Sequence, residues 1–234
     1  MLLKRCSEEK FMKKNKEDID INSERKKTVF REYLEAIIIA LILALFIRAF
    51  VVQAFKIPSG SMENTLLIGD HILVNKFSYG IKIPNKIFFS NTKLFGDIRF
   101  FEEMPERGDT VVFEYPKDEN RDFIKRVVGL PGEVLEIKAQ TLYINGKPIT
   151  EPYAIHRNPY SEDRPMHPRD NYGPVVIPKR KFFVMGDNRE NSQDSRYWNF
   201  LDMDRVKGKA FIIYWSWNSE KFSLRWNRLA KLIK

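Results

Sequence analysis

The chain has 234 residues, 43% of them hydrophobic and 30% charged, which suits one domain with appendages and a sizeable core and excludes wholesale disorder. The formal charge of +9 raises nucleic acid or an anionic membrane as a partner, but no recognition helix, RNP or zinc-finger signature accompanies it, so nucleic acid is set aside. A single cysteine, Cys6, excludes an internal disulfide and a cysteine metal cluster, and His71, His156 and His167 lack HExxH spacing, so no metal and no cofactor is expected.

Residues 1–33 are polar and carry both charge signs, with Lys10, Lys13, Lys14, Lys16, Arg25, Lys26 and Lys27 making them basic. This composition predicts a tail, mobile or loosely helical. An apolar run follows, and residues 34–54 are assigned to a membrane-spanning helix. A buried core helix would keep a polar face, which Ala36–Ile47 lacks. A cleaved secretory signal has a short basic leader and a small-x-small site, whereas the tail here is long and Ala49 and Ala54 are wrongly spaced. An uncleaved signal anchor fits best, with Arg48 snorkelling to the far interface. Basic residues are dense before the run and sparse after it, so the N-terminus is expected in the cytoplasm and residues 55–234 outside.

Directly after the apolar run comes Lys56-Ile57-Pro58-Ser59-Gly60-Ser61-Met62-Glu63-Asn64-Thr65-Leu66. Pro58 biases Ile57 towards an extended conformation, and Gly60 lets the backbone pass close to another group. Such a loop can present a serine hydroxyl and backbone N–H groups to one point, as a nucleophile with an oxyanion site requires. Ser61 could equally cap a short helix running into Thr65.

From Phe55 onwards the pattern is mainly β, a folded sheet domain of about 180 residues. Leu66–Val74 is two apolar runs around a turn signal, and Gly108–Phe113 is a turn followed by a strand. Val134–Ile137 and Leu142–Ile144 precede Asn145-Gly146, a strong hairpin signal. Residues 151–180, rich in proline and charge, read as loops within an inserted subdomain spanning 133–180. Phe182–Met185 and Ala210–Trp215 read as buried strands. The end of the chain, from Phe222, alternates basic and apolar residues, either a strand end with a solvated tail or an amphipathic contact with the membrane face.

Two further stretches carry chemistry. Asp122–Val128 reads as a strand ended by Gly129-Leu130-Pro131-Gly132, which puts Phe123, Lys125 and Val127 on one face and Ile124, Arg126 and Val128 on the other. Lys125 would lie between apolar neighbours, which lowers a lysine pKa, and Arg126 would need a carboxylate if buried. Gly186–Arg196 is a polar run pinned between buried strands, costly unless it hydrogen-bonds internally or lines a site. If extended, it aims Ser192, Asp194 and Arg196 the same way.

Together these stretches resemble the bacterial type I signal peptidases, the leader peptidases that use a serine–lysine dyad. The likeness covers the anchor helix and four blocks in the family's order, Ile57–Leu66, Arg107–Phe113, Asp122–Glu133 and Gly186–Arg196, and the ending Arg225-Trp226 is similar as well. Three positions depart from the common pattern: Asn64 where the family usually has proline, Phe123 where tyrosine is frequent, and Glu190 where aspartate is usual. The resemblance implies an endopeptidase of the cytoplasmic membrane that removes signal peptides from secretory preproteins after small-x-small sequences. It implies Ser61 as nucleophile, neutral Lys125 as base, Ser59 and the Ser61 N–H as oxyanion donors, and Ser192 holding the amine in line. It also implies supporting ion pairs, Asp187 with Arg126 and Asp194 with Arg196. A membrane-anchored β domain that binds peptide or lipid without activity is the alternative, and a self-cleaving repressor-type protease a more distant one. Neither the oligomeric state nor a role for the segment between His71 and Arg107 follows from the sequence.

Overall fold

The structure, a computed structural model, describes residues 31–82, 86–87, 90–93, 99–158 and 168–233. It forms two compact units, Met1–Ala49 and Phe50–Lys234. In the first, residues 31–46 form helix α1, and Ile37, Leu41, Ile42 and Phe46 on it are exposed. The helical path ends in a π turn at Ile47–Val51. Among the described residues no helix is long and apolar enough to cross a membrane.

The second unit opens with β1 (Val52–Lys56), passes through a 3-10 helix at Gly60–Met62, and returns antiparallel as β2 (Asp70–Asn75). Four short strands follow, β3 (Ile81–Lys82), β4 (Lys86–Ile87), β5 (Ser90–Lys93) and β6 (Arg99–Phe100), pairing as β3 with β6 and β4 with β5. The long hairpin β7 (Thr110–Tyr115) and β8 (Asp118–Gly129) is next. After it come β9 (Val134–Lys138), β10 (Thr141–Ile144), β11 (Lys147–Pro148) and β12 (Tyr172–Val176), which make a separate four-stranded sheet in the order β11-β10-β9-β12. The chain then runs through β13 (Lys181–Met185), the short helix α2 (Ser195–Trp198), β14 (Leu201–Asp202), β15 (Val206–Asn218), β16 (Ser223–Leu224) and β17 (Lys231–Leu232). The main sheet has the order β1-β2-β15-β7-β8-β13-β14, with β16 and β17 both pairing with β15.

β8 is an inner strand, hydrogen-bonded to β7 on one side and β13 on the other. That position explains its sequence. The exposed start, Glu119–Asp122, is polar, whereas Lys125–Gly129 is buried. Val127 packs with Val111, Phe113 and Val184, Ile124 against Ile72, Val112 and Ile213, and Val128 with Leu135, Ile144 and Phe183. Three apolar clusters therefore meet along one strand, and a polar side chain there is surrounded on both faces. At Asn145-Gly146, φ of 51° and 77° gives the type I′ turn that the dipeptide favours.

Several expectations are corrected. The helical path stops at Val51, and Val52–Ala54, expected in the helix, pair with Leu73–Asn75 in the sheet. Of the two apolar runs in Leu66–Val74 only the second is a strand: Leu66 drops into the core beside Met62 while β2 starts at Asp70. The stretch read as loops over 151–180 contains β12, an edge strand with a register shift between Tyr172 and Val175. Its Pro174 argues against a strand in sequence terms but is tolerated at an edge. The C-terminal segment is not a solvated tail throughout: Arg228 is buried, and its Nη2 donates to Asp70 Oδ2 at 2.6 Å. The expectations for residues 1–30, which include Cys6, and for residues 159–167, which include His167, lie outside the described residues.

Candidate active site

The β1–β2 hairpin carries the serine loop. Its base is closed by two backbone bonds, Ile57 N–H to Asp70 O (2.8 Å) and Gly69 N–H to Ile57 O (3.1 Å). Ile57, Met62 and Leu66 reach down into one apolar cluster, so the loop between them is anchored at both ends and in the middle. Ser59 precedes the 3-10 helix with an extended backbone, φ −135° and ψ 158°, makes no capping bond, and is exposed. Ser61 is buried within that helix.

Lys125 projects from β8 to meet it. Its Nζ donates to Ser61 Oγ at 2.8 Å and to Ile124 O at 2.9 Å, and it lies 5.2 Å from the centre of the Phe123 ring. The residue is 3% exposed. Burial lowers its pKa from 10.5 to about 8, with Arg196 pushing the same way and Asp194 and Asp187 opposing. Desolvation wins because both carboxylates are already engaged by arginines.

Each carboxylate is engaged through both of its oxygens. Arg126 Nε and Nη2 donate to the two Asp187 oxygens at 2.8 Å each, Nη1 donates to Gly108 O at 2.7 Å, and the guanidinium lies 4.1 Å from the Tyr153 ring centre. Thr65, in the serine loop, donates to Asp187 Oδ2 at 2.5 Å. The second pair, Arg196 Nε and Nη2 with Asp194, closes at 2.8 Å for each bond, and Asp194 Oδ2 also accepts the Gly186 N–H at 3.1 Å. Burial works against an ionised Asp194, but Arg196, together with the Ser192 hydroxyl and the Gly186 N–H, holds its carboxyl below the usual range. Among the described residues Ser192 Oγ nevertheless makes no hydrogen bond of full geometry, to Lys125 or to any other group.

The polar run is a loop and not an extended strand. It bends, and α2 begins at Ser195 with Asp194 as its N-cap, accepting from the Arg196 N–H. The Asp194–Arg196 pair arises from that cap and not from strand alternation. Eight of the run's residues are buried: Gly186, Asp187, Asn188, Arg189, Ser192, Asp194, Ser195 and Arg196. The close approach expected at Gly60 is found elsewhere. A Cβ on Gly60 would meet nothing nearer than 3.5 Å, whereas one on Gly186 would collide with the Ser61 carbonyl oxygen and with Ser192 Oγ. Gly186 is thus the point where the serine loop and the polar run pack backbone to backbone.

Sequence reasoning left several site residues without a role. Arg189 Nη1 and Nη2 donate to Glu151 at 2.7 and 2.6 Å, and its Nε donates to Gly186 O at 3.2 Å. Asn188 donates to the serine loop from both its backbone and its side chain. Asn64, at φ 95°, donates through Nδ2 to Tyr153 O at 3.0 Å, and Glu190 accepts from Asn158 N and Nδ2 at 2.5 and 2.8 Å. Residues 151–158 are in this way tied to the site by long-range partners, which spacing alone does not reveal. Among the described residues no group of three or more His, Cys, Asp or Glu side chains could hold a metal ion.

Chemically, a buried amine of lowered basicity against a serine hydroxyl is the equipment of a hydrolase that uses lysine in place of histidine. A family model described as signal peptidase, peptidase S26, matches residues 30–215. Signal peptidase I of Pseudomonas aeruginosa is 39% identical over 228 residues, covering 85% of this chain and 77% of that protein. Signal peptidase I of Bacillus licheniformis is 35% identical over 197 residues, covering 84% and 94%. A crystal structure of a signal peptidase I from Enterococcus faecalis shares 30% identity and a TM-score of 0.38, covering 46% of this chain and 97% of that one. The chain belongs to the signal peptidase family, peptidase S26, and is a hydrolase that removes signal peptides.

Proposed function

We propose that this chain cleaves signal peptides from secretory preproteins with Ser61 as nucleophile and Lys125 as general base, after small-x-small sequences. The observation that carries the reading is the 2.8 Å contact between a buried Lys125 Nζ and Ser61 Oγ. With a pKa of about 8, about a tenth of the lysine is neutral at pH 7, against about one in 2500 for a free lysine. In the neutral state the contact reverses, the Ser61 hydroxyl donating to the nitrogen lone pair. Ser61 Oγ attacks the scissile carbonyl as Lys125 takes its proton, and the oxyanion is met by the Ser61 N–H and the Ser59 hydroxyl. The intermediate collapses, Lys125 returns the proton to the leaving amine of the mature protein, and Ser61 keeps the signal peptide as an ester. Lys125 then takes a proton from water, the hydroxide attacks the ester carbonyl, and as the C–O bond breaks Lys125 returns that proton to Ser61 Oγ, while the freed acid ionises to the carboxylate. Ser192 confines the amine, and the Arg126–Asp187 and Asp194–Arg196 pairs are scaffolding.

The same reading places residues 1–33 in the cytoplasm, a single span over 34–51, and the catalytic domain 52–234, with an inserted subdomain at 133–180, at the outer face of the cytoplasmic membrane. The dense positive charge before the apolar run supports that orientation. Substrate held in the same bilayer would meet the site without a search through solution. The test is incubation of the detergent-solubilised protein with a labelled preprotein and sequencing of the new N-terminus. Cleavage after a small-x-small sequence that vanishes in Ser61→Ala and in Lys125→Ala is expected. Full activity in either variant would overturn the assignment.

A further inference from the structure

Asn188 is 2% exposed and touches the serine loop twice. Its Nδ2 donates to Gly60 O at 3.2 Å, and its backbone N–H donates to Ser61 O at 3.1 Å. These two carbonyls belong to the peptide planes on either side of the Ser61 Cα. In a planar trans peptide the C=O and N–H point in opposite directions, so a donor fixed on Gly60 O sets the line along which the Ser61 N–H points. We propose that Asn188 is the positioning residue that aims the Ser61 N–H at the oxyanion. The inference rests on the reading of Ser61 as nucleophile.

Two more observations support it. Among the described residues the buried Asn188 Oδ1 has no hydrogen-bond partner, a costly arrangement best understood where the placement of the donor end matters more than satisfaction of the acceptor end. Nδ2 is shared between Gly60 O and Glu63 Oε2, at 3.2 Å each, so turning the amide over would set an oxygen against two acceptors. The backbone of Asn188 is itself held from both sides, by Ile155 N–H to Asp187 O (2.7 Å) and Arg189 N–H to Ile155 O (3.1 Å). The donor is therefore delivered from a fixed support, as an oxyanion site needs when donors must already face the developing charge.

The test compares the full-length wild type with Asn188→Ala, Asn188→Asp and Ser61→Ala, each assayed below its own melting transition. Removing an oxyanion donor outright costs roughly 100–1000-fold in kcat, so losing only its aim is expected to cost about 10–100-fold. Asn188→Ala should show that loss in kcat with KM within about twofold of wild type, and Asn188→Asp a larger one, because a carboxylate would face Gly60 O and Glu63. Affinity for a substrate peptide ending in a boronic acid, which mimics the tetrahedral state, should fall in proportion to kcat/KM. A residue that only stabilised the fold would lower the melting temperature and leave kcat and boronate affinity per folded molecule unchanged, and that result would overturn the proposal. If Ser61→Ala still cleaves, the nucleophile reading fails; if it is inactive while Asn188→Ala keeps kcat, only the aim fails. A measurement on the wild type needs no variant to fold. Scalar coupling across the hydrogen bond from Asn188 Nδ2 to the Gly60 carbonyl carbon is expected, and its absence would also overturn the proposal.

Discussion

Lys125→Met should make the protein more stable and inactive at once. The side chains are of similar length, and methionine fills irregular apolar space well. Burial lowers the Lys125 pKa from 10.5 to about 8, so holding the charged amine in the fold costs about 3 kcal/mol, at ~1.36 kcal/mol per pH unit. The sign follows from proton binding. Between pH 8 and 10.5 the unfolded chain holds more protons at this site than the folded one, so wild-type stability rises with pH through that window. Below about 8 the whole cost is present, and above about 10.5 it is gone. The variant gives up two hydrogen bonds, to Ser61 Oγ and Ile124 O, at about 1 kcal/mol each. A net gain of about 1 kcal/mol is expected at pH 6–7, worth roughly 2–4 °C in Tm for a domain of this size. The difference should shrink as pH rises and change sign at about pH 9, where the remaining cost of the charged amine equals the lost hydrogen bonds. Thermal unfolding of both proteins in detergent at pH 6, 8 and 10 measures it. A variant less stable than wild type at pH 6, or a difference that does not vary with pH, would refute the account of a buried amine charged against its environment.

The kcat/KM of the wild type should climb with pH through about 8, because the base works only when neutral; a profile flat from pH 6 to 9 would remove Lys125 from the mechanism. Gly186→Ala should lose activity and about 1–3 kcal/mol of stability through overpacking, since its Cβ collides with the Ser61 carbonyl oxygen and Ser192 Oγ. Wild-type activity in that variant would show that the two segments can separate. Asn64→Pro, which would match the residue most common in the family, should lower the melting temperature by a few degrees, because φ of 95° is closed to proline and the bond to Tyr153 O is lost. Unchanged or raised stability would mean that the loop takes another backbone path. Asp187→Ala leaves Arg126 buried beside Thr65 without its carboxylate, and should cost about 3–5 kcal/mol in urea unfolding. A loss of cleavage with unchanged stability would contradict its role as a scaffold.

The elements of the β domain were legible wherever local pattern and environment agree. Alternation in Asp122–Val128 placed Lys125 with Phe123 and Val127, and the inner position of β8 between β7 and β13 is what turned that face into a buried one. Asn145-Gly146 announced its hairpin because the required φ values are intrinsic to those residues. Where pairing partners are distant, pattern failed: β12 hides in a proline-rich stretch because an edge strand needs only one neighbour, and Leu66 looks like a strand residue until Met62 and Ile57 are seen beside it. The polar run Gly186–Arg196 was recognisable as a site by its cost, but its shape was not. Alternation presumes an extended chain, and the internal cap at Asp194 overrides it. Partners such as Glu151 for Arg189, Thr65 for Asp187, Asp70 for Arg228 and Gly60 for Asn188 lie 38 to 158 residues apart. A sequence specifies which groups must be paired once buried, because an unpaired charge or donor is expensive; which partner meets the need is decided only when the sheet brings remote segments within hydrogen-bonding reach.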